Sequence, residues 1–259
     1  MNKKKGILVV SFGTSYPDTR KVTIQAIKDT ICSAYPDLPV YEAWTSKKIM
    51  AKILRTTSEK IFSVTEAMEH MLHDGITDVC IQPTHVINGI ENDLMKEDAL
   101  KFKNDFESIA FGSPLVTSTE DMQNIVQILA DSFSDMTSEE ALILMGHGSE
   151  HHSNAVYAAL DYMFKEAGYP NIHMGTVEAY PELENVFQVL RRNHVKKIHL
   201  APFMIVAGDH AINDMAGDRE NSWRNLCKNA GYEVTCHIKG LGEYPAVRKM
   251  FLEHLESVL

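Results

Sequence analysis

Val79-Cys80-Ile81-Gln82-Pro83-Thr84-His85-Val86-Ile87-Asn88-Gly89 and Ile198-His199-Leu200-Ala201-Pro202-Phe203-Met204-Ile205-Val206-Ala207-Gly208 read as one element written twice. Each is a short apolar run closed by proline, with a glycine six residues further on. A second pair repeats in the same way: Ile7-Leu8-Val9-Val10-Ser11-Phe12-Gly13-Thr14 and Leu142-Ile143-Leu144-Met145-Gly146-His147-Gly148-Ser149. Two matched pairs of strand-plus-loop imply two lobes related by duplication.

Working outward, short apolar runs alternate with amphipathic segments, the α/β pattern. Strands are expected at 7–11, 40–43, 78–82 and 108–111, then at 141–145, 172–177, 197–201 and 234–237, four in each half. Ser63-Val64-Thr65-Glu66 is a capping box opening a helix that stops at Gly75. Another helix follows Asn154 as far as Gly168, and a last one begins near Pro245. The expected architecture is two four-stranded parallel sheets flanked by helices. The lobes run over 1–131 and 141–259, with a polar linker at 132–140 and a terminal helix able to pack across. Ligands of open parallel sheets bind beyond the carboxyl ends of the strands, so the site is expected in a cleft between the lobes.

The chain has 259 residues, 44% hydrophobic and 23% charged, which is globular composition and excludes a disordered or low-complexity protein. Twenty-five basic against 35 acidic residues leave a net charge of −10. That balance removes the attraction on which nucleic-acid binding depends. The apolar run after Lys3-Lys4-Lys5 is five residues long, below the roughly 7 of a secretion signal. No stretch approaches the ~18 apolar residues of a membrane span, so no membrane partner is expected. Cys32, Cys80, Cys227 and Cys236 contain no C-x-x-C pair, which argues against a zinc ribbon or redox dithiol and fits a reducing cytoplasm.

Three strand-end loops of the second half carry ligand chemistry: His147 between two glycines, Glu178 in Val177-Glu178-Ala179-Tyr180-Pro181-Glu182, and His210 in Ala207-Gly208-Asp209-His210. They are 31 and 32 residues apart, about one strand–helix repeat, so successive parallel strands would bring them to one sheet edge. Two imidazoles and a carboxylate suit Fe, Co, Ni or Zn better than Mg or Ca. Taken alone, His147 also reads as a structural loop histidine. Glu182 follows Pro181 and reads as serving the first turn of a helix. His85 either faces the cleft or bonds a loop carbonyl.

Gly146-His147-Gly148-Ser149, Val177-Glu178-Ala179-Tyr180-Pro181-Glu182 and Val206 through Met215 resemble the motifs of the anaerobic sirohydrochlorin cobaltochelatases of the CbiK type. These belong to the class II chelatases that include ferrochelatase. The likeness runs from Val9–Ser15 through Thr84–Gly89 to Gly240–Pro245. It implies ATP-independent insertion of Co2+, as substrate metal, into sirohydrochlorin during cobalamin synthesis, with no nucleotide and no permanent organic cofactor. No P-loop is written in the chain. The family's metal ligands fall on His147, Glu178 and His210, and an acidic first-lobe contributor falls on Glu91.

Metallation removes two pyrrole N–H protons and exchanges a hydrated cation for four ring nitrogens, so it needs bases near neutrality and a metal site with open positions. Histidine supplies both. Ligand softness does not select cobalt; that choice, over a ferrochelatase or a non-catalytic tetrapyrrole or metal carrier, rests on the resemblance. Aligning the halves sets Phe12 opposite His147 and Glu91 close to His210. The first lobe is then expected to offer an aromatic wall in Phe12 and a carboxylate in Glu91, the latter handling a proton or a metal-bound water, and Thr14 and His85 are further candidates for substrate contact. Arg20, Lys21, Lys47 and Lys48 follow first-lobe strand ends and are candidate counter-charges for substrate carboxylates. The G-x-S-x-G elbow of a serine hydrolase is absent, and a homo-oligomer is compatible with these patterns.

Overall fold

The computed structural model describes residues 3–191 and 193–259. The chain forms two compact units, Met1–Thr117 with Gly242–Leu259, and Ser118–Leu241. All eight expected strands form: β1 (Lys5–Ser11), β2 (Val40–Trp44), β3 (Asp78–Pro83), β4 (Ser108–Phe111), β5 (Glu140–Gly146), β6 (Ile172–Thr176), β7 (Lys197–Pro202) and β8 (Glu233–Cys236). One sheet has the order β2-β1-β3-β4 and the other β6-β5-β7-β8, with every pairing parallel. The second half therefore repeats the topology of the first.

The central strands show why this layering holds. Ile7–Val10 and Ala141–Met145 are wholly buried along their length, as expected where helices cover both faces of a parallel sheet. Helices start where the sequence signals them. Ser63 caps Val64–His73, its hydroxyl accepting from the Glu66 amide while the Glu66 carboxylate accepts from the Ser63 amide. The helix ends are equally local: Gly75 takes φ +76° just after that helix, and Gly168 takes φ +91° after Ala155–Glu166. A left-handed residue at such a point costs glycine least.

The division between units corrects the expected boundaries. The polar stretch 132–140 is a loop inside the second unit, because the preceding helix Thr119–Ser132 buries Ile125, Val126, Leu129 and Ala130 and packs on helix Ala155–Glu166. Polar composition marks a surface loop, and it does not distinguish a loop within a unit from one between units. At the other end, helix Pro245–Glu256 joins the first unit. It buries Val247, Phe251 and Leu255 and packs on helix Ala26–Ala34 and on β3. His254 Nδ1 lies 3.1 Å from the Ser113 carbonyl, and Cys80 Sγ lies 3.4 Å from the Val258 carbonyl.

One buried histidine in each unit makes the fold acid-sensitive. Burial pushes the imidazoles of His85 and His173 from 6.5 down to about 4; Asn92 partly offsets the first and Asp161 the second, while Lys165 adds to the depression at His173. Both groups thus take up a proton at a higher pH in the unfolded chain than in the folded one. The stability they contribute is complete above about pH 6.5 and declines as the pH falls toward 4. Unfolding free energies from urea titrations between pH 7.5 and 4.5 are expected to fall, by an amount on the order of 3 kcal/mol per histidine as an upper limit. His173→Asn should flatten the lower part of that profile, and a level profile in the parent protein would contradict buried neutral imidazoles.

Candidate metal centre

The three ligand candidates leave the ends of three adjacent strands. His147 follows β5, Glu178 follows β6 and His210 lies beyond β7, the order of these strands in the sheet being β6-β5-β7. Gly146 pairs with Thr176 and Met145 with Pro202, so the strands end level. The β5–β6 ladder continues past both strands: the Val177 amide donates to the Gly146 carbonyl and the Glu178 amide to the His147 carbonyl, each at 3.0 Å. Backbone register, rather than side-chain attraction, therefore sets His147 beside Glu178.

Glycine on both sides of His147 is a requirement of this geometry. Gly148 adopts φ +88°, and a Cβ there would come within 2.8 Å of the Ala179 nitrogen; at Gly146 a Cβ would come within 2.4 Å of the Tyr157 ring. Tyr157 is buried beneath the loop, and burial pushes its phenol up to about 12 despite backbone hydrogen bonds from Gly148 and His147. Asn154 ties two of the loops together. Its Oδ1 accepts from the Ser149 amide at 3.0 Å and its Nδ2 donates to the Tyr180 carbonyl at 2.6 Å. Glu182 caps helix Leu183–Leu190 in a reciprocal pairing with Asn185, which accounts for it as a helix-start residue.

His210 opens a π-helical turn, His210–Met215, which buries Ala211 and Met215 in the core of the second unit. Such turns are uncommon and are concentrated at functional sites. The His210 Nδ1 lies 2.6 Å from the Asp214 carboxylate, and the His147 Nδ1 lies 2.9 Å from the Gly148 carbonyl and 3.7 Å from the Glu178 carboxylate. Carboxylate and carbonyl oxygens only accept, so both rings donate from Nδ1 and keep the Nε2 lone pair for a metal. The rings meet edge to face with centroids 4.8 Å apart. One ligand atom from each of His147, Glu178 and His210 falls within 4.8 Å of the others. A single divalent ion can bridge such a set while keeping further coordination positions open. Among the described residues this is the group of three or more such side chains that could hold a metal.

This architecture agrees with what comparison with known proteins finds. A family model described as cobalt chelatase (CbiK) matches residues 5–259. The chain belongs to the cobalt chelatase (CbiK) family. It is 38% identical to the sirohydrochlorin cobaltochelatase of Salmonella typhimurium, over 99% of this chain and 97% of that one. To the sirohydrochlorin cobaltochelatase CbiKC of Nitratidesulfovibrio vulgaris it is 30% identical, over 99% and 91% of the two chains. Among solved structures the fold is similar to SirB from Bacillus subtilis, at TM-score 0.65 and 15% identity over 98% of this chain and 95% of that one. It is also similar to CbiX, the terminal enzyme of siroheme biosynthesis in denitrifying bacteria, at TM-score 0.60 and 14% identity over 98% and 99% of the chains.

The first-unit residues meet their expectations unevenly. Phe12, on the loop after β1, exposes 44% of its surface, and Glu91 is partly exposed in the first turn of helix Ile90–Leu100. Thr14 and His85 are buried, Thr14 in the wall of a cavity of the first unit. The Thr14 hydroxyl accepts from the Tyr16 amide within its own turn. The His85 ring interacts with the Asn92 side chain and makes no hydrogen bond to a loop carbonyl among the described residues. A proline-ended strand and its loop look alike in sequence whether the following side chain turns inward or outward.

The candidate cations also divide. Arg20 lines a cavity of about 320 Å³ with Ser15, Lys21 and Gln25, but its charge is already met. Its guanidinium lies 4.8 Å from the Trp44 ring centroid, 2.9 Å from Glu59 and 3.8 Å from Glu42. Lys21, Lys47 and Lys48 are exposed. Asn154 and Asp214 were not singled out by sequence reasoning. Asp214 did carry a signal, because it stands four residues after His210, whereas the bridge made by Asn154 spans two loops and leaves no local trace.

Proposed function

We propose that this protein inserts Co2+ into sirohydrochlorin without a nucleotide, receiving the ion on His147, Glu178 and His210, as a step of cobalamin synthesis in a reducing cytoplasm. The observation that carries the reading is the convergence of those three ligand atoms at the level ends of adjacent strands. The four cysteines are unpaired thiols, and no helix of the described residues is long and apolar enough to cross a membrane.

Chemistry follows from the donor set. With both histidines neutral, the carboxylates of Glu178 and Asp214 match the double charge of the cation, so capture and release need no large charge imbalance. Three protein ligands leave positions for the macrocycle nitrogens to enter before the protein lets go. Two pyrrole protons must depart as the metal enters, and the imidazoles and carboxylate freed from the metal are bases placed at the reaction centre to accept them.

Turnover is tested by absorbance with sirohydrochlorin and Co2+, set against Fe2+ and against a porphyrin under the same conditions. Slow or absent metallation with tight tetrapyrrole binding would make the protein a carrier instead. Glu178→Gln retains shape while removing charge. It is expected to raise the KM for Co2+ about tenfold, the size typical of lost metal-site interactions, with the KM for tetrapyrrole within twofold. An unchanged KM for Co2+ would remove Glu178 from the ligand set.

A further inference from the structure

We propose that Asp214 is a positioning residue that makes the two histidines of the centre unequal ligands, with His210 as the anchor and His147 as the ligand that lets go first. The inference rests on the metal-site reading above and adds to it an order of release.

The inequality is visible in the partners of the two Nδ1 atoms. His210 donates to a carboxylate at 2.6 Å, whereas His147 donates to the neutral carbonyl of its neighbour Gly148 at 2.9 Å. A charge-assisted hydrogen bond is shorter and stronger than a neutral one, and it increases the electron density at the opposite ring nitrogen. The Nε2 of His210 is therefore the better donor to a cation.

Exposure points the same way. His210 has 29% of its side chain exposed and stands on a turn anchored by buried Ala211 and Met215, while His147 has 46% exposed on a loop between glycines. The turn itself is braced by a second bond of the same spacing, from Asn213 Nδ2 to Asp209 Oδ1 at 2.9 Å. A chelatase gains from this arrangement. One firm ligand captures the ion from water, and one weak ligand yields its position to the first incoming macrocycle nitrogen without the ion being lost.

The test titrates Co2+ alone into the full-length protein by calorimetry and measures the KM of each substrate. Asp214→Ala is expected to weaken Co2+ binding ~10- to 100-fold and to leave the KM for tetrapyrrole within twofold, a split that a general loss of structure would not produce. Asp214→Asn keeps an acceptor and removes the charge, so it should fall between the parent and Asp214→Ala. It also decides the question if the alanine variant fails to fold. His210→Ala should lose at least tenfold more Co2+ affinity than His147→Ala. Parent-like Co2+ affinity in a folded Asp214 variant, or equal losses in the two histidine variants, would overturn the inference. If His210→Ala itself binds Co2+ normally, the metal-site reading fails as well; if it loses the ion and the Asp214 variants do not, only the present inference falls.

Discussion

His210→Ala and His147→Ala are each expected to lower the rate of Co2+ insertion by at least two orders of magnitude, with His210→Ala the lower of the two, while thermal unfolding shifts by only a few degrees. The separation of activity from stability follows from where the side chains stand. Both leave strand ends, and His147 and His210 keep 46% and 29% of their side chains exposed, so neither removal opens a cavity in the core. The loss of rate follows from the ligand count. Removing one of three donors leaves two, and an ion held by two protein donors with no macrocycle nitrogen yet in place is lost to water more readily than it is passed on. Circular dichroism and a melting curve beside the turnover assay check both halves of the statement. Near-parent turnover in either variant would take that residue out of the centre.

The second large effect is expected at a residue with no side chain. Gly148→Ala combines a left-handed backbone, φ +88°, with a Cβ placed 2.8 Å from the Ala179 nitrogen and 2.9 Å from its Cβ. The contact is with backbone of the loop that carries Glu178, so the loop has to move, and Glu178 moves with it. We expect Co2+ affinity and turnover to fall at least tenfold, together with a stability loss of about 1–3 kcal/mol from the forced backbone. Gly168→Ala is the control. It carries almost the same dihedral, φ +91°, but its added Cβ meets nothing within 4 Å. That variant should lose about 1 kcal/mol of stability and keep its activity. Equal activity losses in the two variants would mean that strain in general, rather than displacement of the Glu178 loop, governs the site.

Much of the molecule is local and therefore legible in one dimension. The eight strands lie on short apolar runs, β3 and β7 closing on proline and β5 on glycine, and the central ones are continuous because a doubly covered parallel strand needs an unbroken apolar segment and nothing more distant. The Ser63–Glu66 box and the Pro245 helix start are formed by neighbours in sequence. The three metal-ligand candidates were visible for the same reason, each being a polar residue in a strand-end loop that repeats at about one strand–helix unit.

What only the tertiary structure decided concerns pairs of residues far apart. Helix Thr119–Ser132 could serve either unit by its sequence, and its buried face against helix Ala155–Glu166 places it in the second. His85 has the sequence setting of a loop residue, yet the chain turns it inward and burial lowers its pKa to about 4. The Asn154 bridge exists only once the loops after β5 and β6 lie side by side. His210 and Asp214 are neighbours in sequence, but their contact depends on a π-helical turn held down by Ala211 and Met215. Apolar periodicity and capping chemistry act over a few residues, so the sequence by itself determined the elements and the kinds of donor at their ends. Strand register, loop-to-loop hydrogen bonds and burial couple residues tens of positions apart, and these long-range terms alone determined which donors face one another and which are closed away from solvent.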